Sequence, residues 1–276
     1  MKIAIVGLGL IGASYASGLT KKGHIVYGID KDVKTIEYAI NKKYIKEGFV
    51  ESNEILSFVD LIILAIYPQA IIEFLSDNRK YFKSNQIITD VCGVKTSFIN
   101  KATILAGKAT YVSHHPMAGK EKIGIEYADH NIFKGANLLI TPLEHTPIEA
   151  IKIIDSIARD LEFGRISVIS PNRHDKMIGF TSQLTHAIAV SLVNSDKDDE
   201  TINFIGDSYR DLTRIAMINS NLWSELFLEN KKELLEHIEH FEKELNNLKS
   251  AIELNDKEKL NELFYNSTIT RKKMEK

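Results

Sequence analysis

The sequence predicts an α/β protein in which an N-terminal Rossmann-type, doubly wound parallel sheet is followed by an all-helical C-terminal domain. Three observations carry this expectation. Over the first 143 residues, short apolar runs rich in β-formers alternate with helical stretches, the pattern of a parallel sheet covered on both faces. A glycine-rich turn directly follows the first of those runs, and beyond Ser170 the text is helical throughout. A chain of 276 residues accommodates two domains of ordinary size, which we divide at 1–169 and 170–276.

The expected strands are Lys2 to Val6, His24 to Ile29, Leu61 to Ile66, Gln86 to Asp90, Tyr111 to Ser113 and Asn137 to Thr141. Their apolar residues run continuously instead of alternating, as burial on both sheet faces requires. Thr146 to Glu162 reads as a further helix, and Gly164 to Ile169 as the strand that closes the same sheet. Ser170-Pro171 then opens the helical part: serine caps an orphan amide, and proline at the first helical position gives up no hydrogen bond. Farther on, Leu234, Ile238, Phe241, Leu245, Leu248 and Ile252 recur at helical spacing and line one face. That stripe serves either packing inside the second domain or a seam between two copies.

Bulk properties narrow the functional classes. Lys and Arg number 35 against 37 Asp and Glu, for a formal charge of -2 and a pI near 6.5, so no general field draws the chain to nucleic acid or an anionic membrane. The expected partner is a small molecule or another copy. Cys92 is the single cysteine; no intrachain disulfide can form, which fits a reducing cytoplasm. The chain opens directly on the strand KIAIVGLGLIG with no secretory pattern, and its longest apolar run, Leu61 to Tyr67, falls far short of the roughly 20 residues a membrane helix needs. It ends in the polar ITRKKMEK, which leaves no length for an appended regulatory module. The histidines and Cys92 do not stand at metal spacing, so no metal is expected.

Gly7, Gly9 and Gly12 in VGLGLIGAS lie between a strand and a helix, the context in which this spacing binds a dinucleotide. Gly7 makes the turn, Gly9 lets the backbone approach a pyrophosphate, and Gly12 lets the helix sit close to the strand; Leu8, Leu10 and Ile11 belong to the same cradle. Asp30 ends the second strand eighteen residues beyond Gly12, where a carboxylate accepts hydrogen bonds from ribose hydroxyls and repels a 2′-phosphate. NAD is therefore favoured over NADP, a preference that the neighbouring Lys31 tempers.

Two further segments, Asp90-Val91-Cys92-Gly93-Val94-Lys95 and Ser113-His114-His115-Pro116-Met117-Ala118-Gly119-Lys120-Glu121, each follow an expected strand and so reach the carboxyl edge of the sheet, where ligands bind in such folds. With FKGANLLITP, TSQLTHAIA and YRDLTRIA in this order, they resemble the prephenate and arogenate dehydrogenase family over essentially the whole chain. The resemblance implies NAD-dependent oxidative decarboxylation of prephenate to 4-hydroxyphenylpyruvate, with release of CO2 and NADH, in tyrosine biosynthesis. Arogenate, giving tyrosine directly, is the alternative substrate. A homodimer through the helical domain is implied as well.

In this family the histidine of the His-Pro pair is catalytic, which carries over to His115. A neutral imidazole there can accept the hydroxyl proton as hydride leaves, a contribution of roughly 10² to 10⁴ in rate. The resemblance places a substrate-side histidine at His186, whose helical face also carries Gly179, Ser182 and Gln183, a small polar window. Arg214 of DLTRIA would clamp a substrate carboxylate through two parallel hydrogen bonds, with Asp211, three residues earlier on the same helical face, orienting it. Lys95 and Lys120 are secondary cations. His174, about 120° from His186 on a straight helix, reads as structural. Where family members often carry a serine before the Val-Lys pair, this chain has Gly93, so the task of that hydroxyl falls to water, the Gly93 amide or Ser113. Two rival readings are weaker: a β-hydroxyacid dehydrogenase needs a lysine on the His186 face, which carries none, and a non-catalytic NAD sensor would have lost the acid-base and anion-binding groups kept here.

Overall fold

The computed structural model describes residues 1–52, 54–120 and 122–275; Glu121 of the HPMAGKE segment and Lys276 of the polar tail lie outside the described residues. The chain forms two compact units, one spanning Met1–Asn230 and one beginning at Lys231.

In the first unit, β1 (Lys2–Val6), β2 (Ile25–Ile29), β3 (Glu47–Phe49), β4 (Leu61–Leu64), β5 (Ile87–Asp90) and β6 (Thr110–Tyr111) build a parallel sheet in the order β3-β2-β1-β4-β5-β6. Helices α1 (Leu10–Lys21), α2 (Val33–Asn41), α3 (Pro68–Asn78) and α4 (Ile99–Ala106) connect its strands. Successive strand residues point to opposite faces, and the two cores divide accordingly. Ile3, Ile5, Leu61 and Ile63 pack in one cluster with Ala13, Ala16 and Leu19 of α1, whereas Ala4, Val6, Ile62 and Leu64 join Ile71 and Leu75 of α3 in another. Both faces being covered explains the unbroken apolar runs.

The sheet departs from the sequence expectation in two places. Tyr111 to Ser113 is not one strand: β6 pairs only Thr110 and Tyr111 with β5, Val112 donates to the Ile88 carbonyl at 3.0 Å, and the next residue opens a second sheet. That sheet holds β7 (Ser113–Pro116), β8 (Asn137–Thr141) and β9 (Arg165–Val168), with β7 antiparallel and β9 parallel to β8, so the last two runs extend a separate mixed sheet and not the large one. Apolar periodicity marks extended residues without naming their partners. The second departure is β3, a three-residue edge strand that is partly exposed and therefore carries no apolar run to betray it.

Helix α5 (Ile148–Asp160) precedes β9. Next, α6 (Pro171–Ile178) starts where expected, with the Ser170 hydroxyl accepting the Arg173 N–H at 3.2 Å. A π turn over Gly179–Gln183 separates it from α7 (Leu184–Asn194). Then follow α8 (Asp207–Thr213), a 3-10 turn over Arg214–Ala216 and α9 (Ser220–Glu229). The second unit holds α10 (Lys231–Glu253) and α11 (Lys257–Lys273), the latter capped by Asp256, which accepts the Lys259 N–H at 2.9 Å. Along the apolar stripe of α10, Leu234 is buried while Phe241, Leu245 and Ile252 are exposed. Among the described residues no helix is long and apolar enough to cross a membrane.

Candidate active site

The glycine-rich turn joins β1 to α1. Gly7 has φ +86° and an added Cβ would stand 2.5 Å from the Ala65 carbonyl oxygen; at Gly12 it would fall 1.8 Å from the Gly7 oxygen, so both positions admit only glycine. The first intrahelical bond runs from Ala13 N–H to the Gly9 oxygen at 2.9 Å, which leaves the amides of Leu10, Ile11 and Gly12 without helical acceptors at the positive end of α1. Among the described residues no atom approaches a Cβ at Gly9 within 4 Å. A pyrophosphate fits this cradle. Asp30 is fixed beside it, accepting the Leu8 N–H at 2.7 Å on one oxygen and the Asp32 N–H at 3.0 Å on the other. Leu8 itself points into the core, so its contribution is its backbone.

A cavity of about 400 Å³ opens from this turn, with Gly9, Ile11 and Gly12 on one side, Gly93 and His115 on a second, and Ser182, Gln183 and Trp223 on a third. A larger cleft of about 920 Å³, bordered by Arg79, Lys80, Lys108 and His145, shares neither the glycine turn nor His115. Chemistry, not size, identifies the first as the candidate site.

His115 stands on β7, where Leu139 of β8 is its register partner. Its Nδ1 lies 2.9 Å from His174 Nε2, and His174 Nδ1 lies 2.7 Å from Asp175 Oδ1. Asp175 accepts three more hydrogen bonds, from Lys95 N–H at 2.9 Å, Thr96 N–H at 2.7 Å and the Thr96 hydroxyl at 2.5 Å. Burial pushes the His115 imidazole well below its ordinary pKa, and His174, the Lys95 ammonium and His114 push in the same direction. His115 is therefore neutral at pH 7 and able to accept a proton. Burial would raise the Asp175 carboxyl, but hydrogen bonds from His174 and Thr96 outweigh it and hold it low.

Beneath the site lies a second polar group. Lys95 Nζ is 2.8 Å from Asp90 and 2.9 Å from the His114 carbonyl oxygen, and Asp90 also accepts from the Tyr111 hydroxyl at 2.7 Å and the Cys92 amide at 2.9 Å. Lys95 and Asp90 are fully buried, which removes Lys95 as a cation for substrate. His114 is pushed down to about 3 by burial and bridges Tyr15 and Thr89 as a neutral core residue.

The remaining expected residues fall at varied distances from the cavity. Lys120 lines it and pairs with Asp129 at 3.2 Å. The His186 ring stacks on Trp223, with centroids 3.7 Å apart, so it supports the wall that Trp223 forms, while its Nδ1 lies 2.9 Å from the Ser182 oxygen. Ser113 is fully buried, its hydroxyl meets no hydrogen-bond partner among the described residues, and it does not line the cavity. Asp211 lies in the last turn of α8 and Arg214 opens the 3-10 turn that follows; both are exposed and outside the cavity lining. Sequence reasoning took His174 for structural and did not connect it or Asp175 to His115. The π turn inserts an extra residue into the helix, so a single helical wheel does not carry from His174 to His186, and only the fold brings α6 against β7. The adjacent His-Asp pair just inside a capped helix start was the available signal.

Comparison with known proteins gives the family to which the chain belongs. Residues 15–166 match the family model described as prephenate dehydrogenase, nucleotide-binding domain, and residues 170–266 match prephenate dehydrogenase, dimerization domain. The prephenate dehydrogenase of Lactococcus lactis is 31% identical over 283 residues, covering 99% of this chain and 77% of the relative. Among solved structures, prephenate dehydrogenase from A. aeolicus in complex with hydroxyphenyl propionate and NAD+ superposes with a TM-score of 0.92 at 30% identity, covering 99% of this chain and 98% of that one. Synechocystis arogenate dehydrogenase superposes with a TM-score of 0.85 at 28% identity over 99% of this chain and all of the other. By sequence and by fold alike, the chain belongs to the prephenate dehydrogenase family.

Proposed function

We propose that this protein is an NAD-dependent oxidoreductase that oxidatively decarboxylates prephenate to 4-hydroxyphenylpyruvate, releasing CO2 and NADH. The observation that carries the reading is His115 in the wall of a cavity that also opens onto the glycine turn at Gly9 to Gly12. The amides of Leu10, Ile11 and Gly12 would hold the pyrophosphate of NAD, and the Asp30 carboxylate its ribose. Bound there, NAD would supply the hydride acceptor. His115 accepts the substrate hydroxyl proton at the nitrogen not turned to His174, and CO2 loss then aromatises the ring. Arg214 is proposed to hold a substrate carboxylate with Asp211 beside it; the exposed position of both after α7 supports a role at an entrance. His186 acts by bracing Trp223.

A second reading, arogenate as substrate, is favoured by the likeness to the arogenate dehydrogenase, which is nearly as strong as that to the prephenate enzymes. The division at 1–169 and 170–276 separates the proposed cofactor domain from the substrate and dimerisation domain. Phe241, Leu245 and Ile252, exposed along α10, support a homodimer through the helical part. A cytoplasmic location fits the single buried cysteine.

The test is NADH formation by absorbance with prephenate and, separately, arogenate, each with NAD and with NADP. His115→Asn is expected to lower kcat by roughly 10² to 10⁴ with NAD binding intact. Retained turnover in that variant would overturn the role of His115; silence of the native enzyme with both substrates would overturn the function.

A further inference from the structure

We infer that His174 and Asp175 act together as a positioning device that fixes the tautomer of His115, leaving its Nε2 as a bare acceptor at the cavity. The inference rests on the proposed role of His115 and follows from counting donors and acceptors along one chain of contacts.

The chain begins at Asp175. Two of its four partners, the Lys95 and Thr96 amides, can only donate, and the Thr96 hydroxyl is 2.5 Å from the same oxygen as the Thr96 amide. A carboxylate that receives such bonds is ionised and acceptor-only. His174 Nδ1, 2.7 Å from Oδ1, must therefore carry a proton. His174 is fully buried, and burial holds its pKa below the ordinary histidine value even with Asp175 beside it, so at neutral pH it is uncharged. A neutral imidazole with hydrogen on Nδ1 has its lone pair on Nε2. That nitrogen is 2.9 Å from His115 Nδ1. His115 must then place its own hydrogen on Nδ1, and in its neutral form Nε2 is left without one. No hydrogen bond to His115 Nε2 forms among the described residues. Two tautomers are thus set in series by one carboxylate 1% exposed.

Energetics point the same way. Turning His115 to the other tautomer would set two lone pairs against each other at 2.9 Å, or require His174 to ionise in a buried site. The charged groups facing the pair are Lys95, Asp90 and Asp175, with His114 beyond; the Lys95 ammonium disfavours imidazolium at His174 and His115 alike. When His115 gains a proton at Nε2, its Nδ1–H already has an acceptor polarised by Asp175, so charge develops toward a dipole arranged in advance. The arrangement follows the general logic of a base oriented by a third group.

The experiment combines kinetics on prephenate and NAD with 15N NMR of histidine-labelled protein. In the native protein His115 Nε2 should show the shift of an unprotonated ring nitrogen at pH 7 and Nδ1 that of a protonated one. His174→Leu should lower kcat about 10- to 100-fold, the range seen where the group orienting a histidine from behind is removed from metal sites, with KM for both substrates changed far less. The His115 resonances should then report mixed tautomers. His174→Gln, whose side chain ends near the place of Nε2 and offers an acceptor oxygen, should restore most of kcat and the native tautomer. A protonated Nε2 in the native protein, or a folded His174→Leu with native kcat, would overturn the inference. Should the leucine variant fail to fold, the native spectrum and the glutamine variant decide. The NMR result does not depend on turnover, so an enzyme inactive on prephenate but showing a bare Nε2 would sink the functional reading while sustaining this one.

Discussion

Two buried carboxylates, Asp90 and Asp175, sit on either side of Lys95 and do different things. Each is nearly free of solvent, each is saturated with hydrogen bonds, and each is held low in pKa against the pull of burial. Asp90 receives the Lys95 side chain, Asp175 the Lys95 backbone amide. The chain of contacts from Asp90 closes on itself, because the ammonium it binds is also spent on the His114 carbonyl oxygen. From Asp175 the chain stays open: it passes through an imidazole with a second nitrogen and reaches His115 at the cavity. An ion pair anchors geometry, whereas a neutral imidazole transmits polarity to a third group. What stands next to each carboxylate, more than the carboxylate itself, separates scaffold from site.

The comparison can be broken at the scaffold end first. Lys95→Met leaves Asp90 buried and unpaired, and removing one partner of such a pair costs about 3–5 kcal/mol. Urea unfolding should show a lower midpoint with little change in slope. A loss under about 1 kcal/mol would mean that the pair behaves like an exposed one and that the scaffold lies elsewhere.

Acid offers a second, smaller lever. His114, His115 and His174 all have native pKa values below the ordinary value, His114 near 3. In the unfolded chain they take up protons around pH 6.5 while the native protein does not. The unfolded state therefore binds more protons below that pH, and stability falls as pH drops from 6.5 toward 3. Each such histidine contributes up to about 1.4 kcal/mol per pH unit. Asp90 and Asp175, whose native pKa values are lowered, add a further loss below about pH 4. His114→Gln should flatten the decline between about pH 6.5 and 5. A stability that stays level across that interval in the native protein would show the buried histidines to be charged, which the Asp175 argument forbids.

Which parts of this were readable in the residues follows from range. The Gly7 to Gly12 turn and Asp30 are local: a strand, a turn and a helix start within 30 residues fix them, and spacing read in that context was enough to expect a cradle there. Ser170-Pro171 likewise announced its helix. His115, expected from its motif, lines the cavity. The group behind it was not expected, because His174 is 59 residues away and reaches it only after β7 and α6 pack. Periodicity also could not tell that β7 leaves the large sheet one residue after Val112, since an extended residue looks alike in either sheet. Lys95 illustrates the same limit: a lysine beside a ligand loop reads as a cation for substrate until burial shows it turned inward to Asp90.

The smallest expected effect sharpens the comparison most. Gly93 lines the cavity, its backbone is outside the left-handed region, and an added Cβ would meet His115 Cε1 and Leu226 at 3.7 Å, an ordinary contact. Gly93→Ser is therefore expected to fold, and to gain about 0.4–1 kcal/mol by restricting the unfolded chain. Its hydroxyl would stand beside the ring edge between the two nitrogens of His115. If His174 already fixes that ring, the hydroxyl has little orienting left to do, and kcat/KM should change by less than the value of one hydrogen bond, about 1 kcal/mol or fivefold. In the His174→Leu background the same serine gains a task. The two substitutions share a partner and should be non-additive, with Gly93→Ser recovering more activity there than in the native enzyme. Equal effects in both backgrounds would mean that positions 93 and 174 act on His115 independently, and the open chain from Asp175 would then carry no orienting role.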